Sequence, residues 1–142
     1  MTVSLILDDS RGDIITATRG DTVAQVVALL AEKRIGCVPI VEGGRVLGIF
    51  SERDVVYGLA REGAALLDKS VESVMTAPAV TIDADTPILS ALSLMTKRRI
   101  RHLPVVDGGI MVGFVSIGDL VKSRMDRIES EADAMRAYIQ TA

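Results

Sequence analysis

Two stretches of the chain decide its fold: IGCVPIVEGGRVLGIFSERDVV at residues 35–56 and IRHLPVVDGGIMVGFVSIGDLV at residues 100–121. They align without a gap at an offset of 65 residues, and the match extends outward to place Ile14–Val56 on Ala79–Val121. The matching positions include an Arg-Ile pair, a proline, a Gly-Gly pair and a Ser-x-x-Asp pattern. Such a set in one register indicates an internal duplication.

Each copy begins with the same predicted strand and helix. The β-branched segments Ile14–Thr16 and Val80–Ile82 predict short strands. The helices that follow carry apolar residues at the spacing of one buried face, namely Val23, Val26, Val27 and Leu30 in the first copy and Ile88, Ala91, Leu92 and Met95 in the second. We expect Asp21 and Asp85 to start these helices, with Pro87 just inside the second one.

A hairpin and a second helix complete each copy. Strands are predicted at Cys37–Val41 and Val46–Phe50, and again at His102–Val106 and Met111–Val115. The Gly-Gly pair between the strands favours a tight turn, because both central residues of such a turn can need a positive φ. A serine then opens the last helix, so the order of elements in each copy is βαββα.

One copy of roughly 60 residues buries too little surface to be comfortably stable alone. We therefore predict an α/β (α+β) fold in which two βαββα repeats pack sheet against sheet about a pseudo-twofold axis, with helices outside. The predicted organisation is repeat 1 at residues 8–62, a linker at 63–77 with a helical turn at 70–75, repeat 2 at 78–123 and an amphipathic C-terminal helix at 124–142.

The C-terminal helix carries a heptad-like apolar stripe, spaced 3, 4, 3 and 4 residues apart, made of Met125, Ile128, Ala132, Met135 and Ile139. Two heptads are too few to establish a coiled coil. Packing on the chain's own domain and contact with a second copy both remain open.

Composition excludes several classes of function. The net charge of −3 and pI near 5.1 argue against general nucleic-acid binding, which needs a basic face. A single Cys and a single His exclude an internal disulfide and a multi-histidine zinc site, so no metal is predicted. Charges interrupt every apolar run before about 18 residues, and no secretory signal is visible at the start. We expect a cytoplasmic protein without membrane association.

The segments 100–107 and 113–120, repeated at 35–41 and 48–55, resemble a cystathionine-β-synthase (CBS) domain. The resemblance covers nearly all of residues 13–122. It implies a stand-alone tandem CBS pair, or Bateman module, that binds AMP, ATP, NAD or a similar adenosyl ligand as a signal rather than as a catalytic cofactor. It further implies a homodimer and a separate, unidentified protein that the module regulates.

The repeated Ser-x-x-Asp patterns, Ser51 with Asp54 and Ser116 with Asp119, have two interpretations. From spacing alone they favour a capping box, worth about 1 kcal/mol to the helix. A helix start after a strand also offers free N–H groups, beside which an Asp can accept ribose hydroxyls. The resemblance implies the second role, so we expect all four residues at ligand sites.

The densest basic run, residues 97–102, ends in Arg101 and His102. Cations in the last turn of a helix are favoured by the helix dipole, and that explains most of the run. Arg101 and His102 lie beyond the helix, and the resemblance implies that these two positions bind phosphate.

The first copy has Gly36 and Cys37 in those two positions, so the pockets are predicted to be unequal. We expect the pocket of Asp119 to hold phosphates well, and the pocket of Asp54 to bind weakly or to rely on Arg53. Cys37 itself is typical of a small buried hydrophobic residue.

The adenine slot is implied, again by resemblance, along the first strand of each copy. Thr16 and Thr81 are its candidate polar residues, although ordinary β-propensity also explains them. Val80 belongs to the expected apolar floor, and Pro39 and Pro104 to the sides.

No catalytic set is visible. The sequence lacks a carboxylate cluster for Mg²⁺, a phosphate-binding glycine loop followed by Lys, and a paired acid and base. We predict that the chain is not an enzyme. A nucleotide-sensing regulatory module is favoured, and an interaction scaffold that binds no nucleotide is the alternative.

Overall fold

The computed structural model describes residues 1–10 and 14–141. Helices and strands follow in the order α1 (Ser4–Ser10), α2 (Val23–Lys33), β1 (Cys37–Glu42), β2 (Arg45–Ser51), α3 (Glu52–Glu62), 3₁₀ helices at Gly63–Asp68 and Val71–Ser73, α4 (Ile88–Arg98), β3 (His102–Asp107), β4 (Ile110–Ser116) and α5 (Ile117–Thr141). The duplicated α2-β1-β2-α3 and α4-β3-β4-α5 units confirm the predicted fold class.

The hairpins form as the Gly-Gly pairs predict. β1 pairs antiparallel with β2, and β3 pairs antiparallel with β4. Gly43 and Gly44 have φ of +57° and +81°, and Gly108 and Gly109 have φ of +58° and +84°. These values belong to a region that other residues avoid, so glycine is required at the turn.

In place of each predicted first strand, the structure has a single residue that forms an isolated β-bridge. Ala17, rather than Ile14–Thr16, forms a parallel bridge with Ile40, and Ile82 forms the equivalent bridge with Val105. The Ala17 N–H donates to the carbonyl of Pro39, but the proline has no N–H with which to continue the ladder. Because Pro104 stands in the same place beside Ile82, both copies lose this strand for the same reason.

The helix starts differ from the prediction. Thr22, not Asp21, caps α2: its Oγ1 accepts from the Gln25 N–H at 3.2 Å, and Gln25 Oε1 accepts from the Thr22 N–H at 2.9 Å. Asp21 instead accepts from the Thr18 N–H. α4 begins at Ile88, after Pro87, so Asp85 lies two residues too early to cap it.

Two separate cores lie beneath the two repeats, and each is completed by a segment from outside its repeat. In the first, Val26, Ile40 and Phe50 pack with Leu66 and Val71 of the linker. In the second, residues of α4, β3, β4 and α5 pack with Val3 and Leu7 of the N-terminal segment. The short N-terminal helix α1, which the sequence did not reveal, therefore belongs structurally to repeat 2.

The repeats meet along their sheets and at the hairpin tips. The Met111 N–H donates to the Gly44 carbonyl at 2.8 Å, and β2 lies against β4. α5 runs without a break through the predicted boundary at residues 123–124, and the last residue of that predicted segment, 142, lies outside the described residues. Among the residues that the structure describes, no helix is long and apolar enough to cross a membrane.

Gly48 allows the linker to cross β2. Thr76 forms an antiparallel bridge with Ile49, with N–H to carbonyl distances of 2.9 and 2.8 Å. A Cβ on Gly48 would lie 2.7 Å from the Thr76 carbonyl oxygen, so only glycine permits this approach.

Replacing Gly48 by Ala is expected to lower the free energy of unfolding by about 1–3 kcal/mol, because a backbone segment must move to admit the methyl group. Urea denaturation measures the change. Gly20→Ala is the matched control, since nothing lies within 4 Å of a Cβ at that position. Equal stability of the two variants would contradict the close approach.

Candidate functional site

A cavity of about 550 Å³ opens between the two repeats. Its walls come from the start of β1, the β2–α3 junction, the end of the linker and the α4–β3 junction, and they consist of Gly36, Cys37, Ile49, Ser51, Glu52, Arg53, Asp54, Thr76, Pro78, Ala79, Val80, Arg99, Ile100, Arg101 and His102. The volume lies in the range of small-molecule sites.

Asp54 stands at the third position of α3, where it both caps the helix and lines the cavity. Its Oδ2 accepts from the Ser51 N–H at 2.9 Å and from the Ser51 hydroxyl at 3.2 Å, which stabilises the helix start. Its Oδ1 accepts from the Thr76 hydroxyl at 3.0 Å. The carboxylate is therefore held in one orientation while it lines the cavity, as preorganised binding requires.

A basic rim shares the lining of the cavity with Asp54. Arg101 and His102 come from the start of β3, and Arg99 from the left-handed end of α4 at φ +55°. The Arg53 guanidinium donates to the Arg99 carbonyl at 3.0 Å, which ties the two repeats together at this rim. One cavity thus combines a carboxylate from repeat 1 with cations from repeat 2.

This combination extends the expected pairing. Arg101 and His102 were assigned from the sequence to the pocket of Asp119; the charge of Asp119 does act on His102, and both residues also line the cavity of Asp54. The alignment compares positions within a repeat, whereas the pseudo-twofold packing turns the β3 start of one repeat toward the α3 start of the other. A sequence repeat alone does not reveal which residues of one repeat face the other repeat.

His102 is half-buried, with its ring stacked on Phe114 at a centroid distance of 5.4 Å. Burial lowers the pKa of the imidazole below its usual value of 6.5; nearby Asp119 opposes this effect and Arg101 adds to it. The ring is therefore neutral at pH 7, and a bound anion would favour its protonation.

Cys37 lines the cavity but is itself only 6% exposed. Burial, and secondarily the negative charge of Asp54, raises the pKa of the thiol to about 12. Since the thiolate is the reactive form, this cysteine is inert at neutral pH. It agrees with the sequence interpretation of a small buried hydrophobic residue.

Asp119 is not part of the lining of this cavity, although its charge acts on His102. It forms a reciprocal capping box with Ser116: Oδ2 accepts from the Ser116 N–H at 3.0 Å, and the Ser116 Oγ accepts from the Asp119 N–H at 3.1 Å. A depression of about 540 Å³ between α1 and α5 contains it, lined also by Met1, Leu5, Ile6, Lys122, Ser123, Asp126 and Arg127. The hydrogen bonds of Asp119 are those of a helix-capping residue.

Four other candidates lie off the described cavity. Thr16 and Thr81 are exposed, and Pro39 and Pro104 are buried within β1 and β3, where their carbonyls accept the bridge hydrogen bonds. Val80 does line the cavity, beside Ala79 and Pro78.

Thr76 was not among the candidates from the sequence, and Arg99 was assigned only to the basic run that the helix dipole explains. Thr76 falls in the linker, before the aligned part of repeat 2, so the repeat alignment gives it no counterpart. The one sequence feature that could have drawn attention to Thr76 is its position shortly before the predicted strand at Val80–Ile82.

Among residues 1–10 and 14–141, no group of three or more His, Cys, Asp or Glu side chains could hold a metal ion. The fold and the cavity define a tandem-repeat module with a ligand-sized site between its halves. The chain belongs to the CBS-domain family, since the model of that domain matches residues 7–61 and 71–126.

Relatives share the whole module. CBS domain-containing protein CBSX3, mitochondrial, of Arabidopsis thaliana is 33% identical over 134 residues, which is 91% of this chain but 65% of that protein's length. A putative signal-transduction protein with CBS domains from Burkholderia ambifaria superposes with a TM-score of 0.81 at 39% identity, covering 89% of this chain and 95% of the other.

Two similar solved structures carry adenosyl ligands. A CBS domain protein from Pyrobaculum aerophilum, complexed with AMP, has a TM-score of 0.73 at 26% identity and covers 84% of this chain and 89% of that one. A CBS domain pair in complex with 5′-methylthioadenosine and S-adenosylmethionine has a TM-score of 0.76 at 27% identity, with coverages of 89% and 98%.

The Cys37 thiol is expected to resist alkylation at pH 7–8 in the folded protein, because burial and its raised pKa leave almost no accessible thiolate. Thiol titration in buffer and in urea measures the difference, with the unfolded chain as the positive control. Rapid labelling of the native chain would contradict the described burial.

Proposed function

We propose that the chain binds a phosphorylated adenosine ligand, such as AMP, ATP or NAD, in the cavity of Asp54 and thereby regulates a separate protein. The observation that carries the proposal is the pairing, in one cavity, of a fixed carboxylate with a basic rim. The adenosyl ligands of two similar proteins support it.

Asp54 supplies the ribose contact. Both oxygens of an ionised carboxylate accept hydrogen bonds from several directions. Oδ1 has one partner, the Thr76 hydroxyl, which can turn to share or release that bond when a sugar hydroxyl arrives. The proposed role therefore adds ribose hydrogen bonds to the helix-capping role that Asp54 already has.

The rim supplies the phosphate contacts. Arg101 brings a planar guanidinium suited to two phosphate oxygens, and His102 becomes a second cation when it takes up a proton. The start of α3 adds backbone N–H groups and the positive end of the helix dipole. This concentration of positive charge favours phosphorylated ligands over the cationic S-adenosylmethionine.

The adenine ring fits the apolar part of the same cavity. Ile49, Pro78, Val80 and Ile100 line that part and come from both repeats. A ligand that contacts both repeats stabilises one relative arrangement of them, and it shifts the population only by its difference in affinity for the two arrangements. A protein that recognises this arrangement would be the regulated partner; binding at Asp119, homodimer formation and cytoplasmic location stay predictions.

Asp54→Ala is expected to weaken binding of AMP at least about tenfold, because a hydrogen bond to a charged group is worth about 1.5–3 kcal/mol. Asp119→Ala is the comparison variant: it removes the same capping carboxylate from the equivalent helix and reaches the cavity only through its charge on His102. Isothermal titration of nucleotide-free protein with AMP, ATP, NAD and S-adenosylmethionine measures both variants.

Loss of the tight site in Asp119→Ala but not in Asp54→Ala would contradict the assignment to this cavity. Absence of binding for all four ligands would instead support the scaffold alternative. Thermal denaturation of both variants checks that they lose similar helix-cap stability.

The contribution of His102 to AMP affinity is expected to grow as the pH falls from 8 to 5.5. Burial lowers the pKa of the free imidazole, whereas a bound phosphate raises it, so binding takes up a proton between the two values. The Kd ratio of His102→Gln to the unsubstituted chain should rise by up to about tenfold per unit of that pKa difference. Using the ratio cancels the titration of the phosphate itself, and a ratio independent of pH would contradict the contact.

A further inference from the structure

Glu52 adds a second carboxylate to the lining of the cavity. As the first residue of α3, it comes one position before Arg53 and two before Asp54. Within residues 1–10 and 14–141, no ion pair or hydrogen bond engages its side chain, although three arginines share the lining. Its negative charge is therefore not neutralised by a partner in the described chain and acts on whatever enters the cavity.

Gly36 determines where this carboxylate lies. The Glu52 N–H donates to the Gly36 carbonyl at 3.0 Å, which joins the start of α3 to the residue before β1. A Cβ on Gly36 would lie 3.4 Å from each of the two carboxylate oxygens of Glu52. The carboxylate thus occupies the space that a longer side chain at position 36 would need, and the glycine leaves that space free.

The same two positions of repeat 2 carry different chemistry. Gly36 and Glu52 align with Arg101 and Ile117 at the offset of 65 residues. The Ile117 N–H donates to the Arg101 carbonyl at 2.8 Å, so the backbone contact is equivalent in the two repeats. Where repeat 2 has a cation beside an apolar residue, repeat 1 has a glycine beside a carboxylate.

The charges of the lining leave only a small positive excess. Three arginines and two carboxylates line the cavity, and the uncharged form of His102 is favoured at neutral pH, so the net charge is +1. A phosphate monoester carries about −1.5 to −2 at pH 7, which already exceeds that charge. Each further phosphoryl group of a di- or triphosphate adds negative charge that the lining does not balance.

The charge of Glu52 acts over the whole cavity. A compact cavity of about 550 Å³ is roughly 8 Å across, which is less than the Debye length of about 10 Å in 0.1 M salt. At that distance, and at the dielectric constant of water, each added negative charge on a ligand raises its Kd about twofold. Two added charges raise it about fivefold, whichever way the phosphate chain runs.

The dipole of α3 offers a structural reason for an acid at position 52. Acidic residues are stabilising in the first turn of a helix, and both Glu52 and Asp54 lie in that turn. The dipole does not explain why the carboxylate lies over Gly36 in the lining of the cavity. A residue that only stabilises the helix affects the free energy of unfolding, whereas a residue that selects ligands changes their relative affinities.

We infer that Glu52 limits the negative charge of the ligand, so that the cavity prefers adenosine monophosphate to the di- and triphosphate. This inference rests on the proposed function, because it concerns the ligand of the same cavity. Asp54 holds the ribose, and the basic rim holds the first phosphate. Glu52 repels the phosphates that follow it.

Isothermal titration with AMP, ADP and ATP tests the limit, with EDTA present so that no Mg²⁺ neutralises the phosphates. The unsubstituted chain is expected to bind AMP more tightly than ATP. Glu52→Gln keeps the shape of the side chain but removes its charge, and it should raise the affinity for ATP relative to AMP about fivefold, with ADP between them. The increase should be larger in about 0.05 M salt than in about 0.5 M salt, because salt screens the repulsion.

Two further variants sharpen the test. Glu129→Gln is the matched control, since it makes the same change of charge at an exposed residue of α5 that does not line the cavity. It should leave the relative affinities unchanged. Gly36→Arg with Glu52→Ile builds the Arg101–Ile117 pair of repeat 2 into repeat 1, and it should raise the relative affinity for ATP beyond that of Glu52→Gln. Thermal denaturation checks that every variant folds.

The possible results separate this inference from the proposed function. Unchanged relative affinities in Glu52→Gln, an equal change in Glu129→Gln, or tighter binding of ATP than of AMP by the unsubstituted chain would overturn the charge limit but leave the proposed function intact. Absence of AMP binding by the unsubstituted chain would overturn both.

Discussion

A two-stranded hairpin has an apolar face that it cannot cover by itself, and this constraint governs the whole molecule. The third strand of each repeat is limited to one bridging residue, because Pro39 and Pro104 have no N–H to extend the ladder. Each small sheet therefore needs its helices, the other repeat and a further segment of chain. The linker supplies that segment to repeat 1, and the N-terminal helix supplies it to repeat 2.

The linker and the N-terminal segment, which complete the two cores, make the repeats chemically unequal. The linker passes over Gly48 and pairs with β2, which brings the Thr76 hydroxyl onto Asp54. On the other side, Leu7 lies against Gly113, and α1 borders the surface around Asp119. A duplicated Ser-x-x-Asp pattern thus caps a helix in both copies, but only the first copy lines the cavity between the repeats.

The capping contacts of Asp54 also fix its position in the cavity. The carboxylate of Asp54 stabilises the start of α3 and is thereby held toward the opposite repeat. Burial lowers the pKa of His102 and raises that of Cys37, so the uncharged form of each side chain is favoured at neutral pH.

The sequence by itself determined the duplication, the hairpins and the helix faces, since Gly-Gly turns and apolar periodicity act over short distances along the chain. It also identified Asp54, Arg101 and His102 as candidates. Only the tertiary structure decided that these three share one cavity, that Thr76 joins them and that the α5 stripe is exposed. Those facts depend on how separate segments pack across the pseudo-twofold axis, and no local pattern of residues encodes that packing.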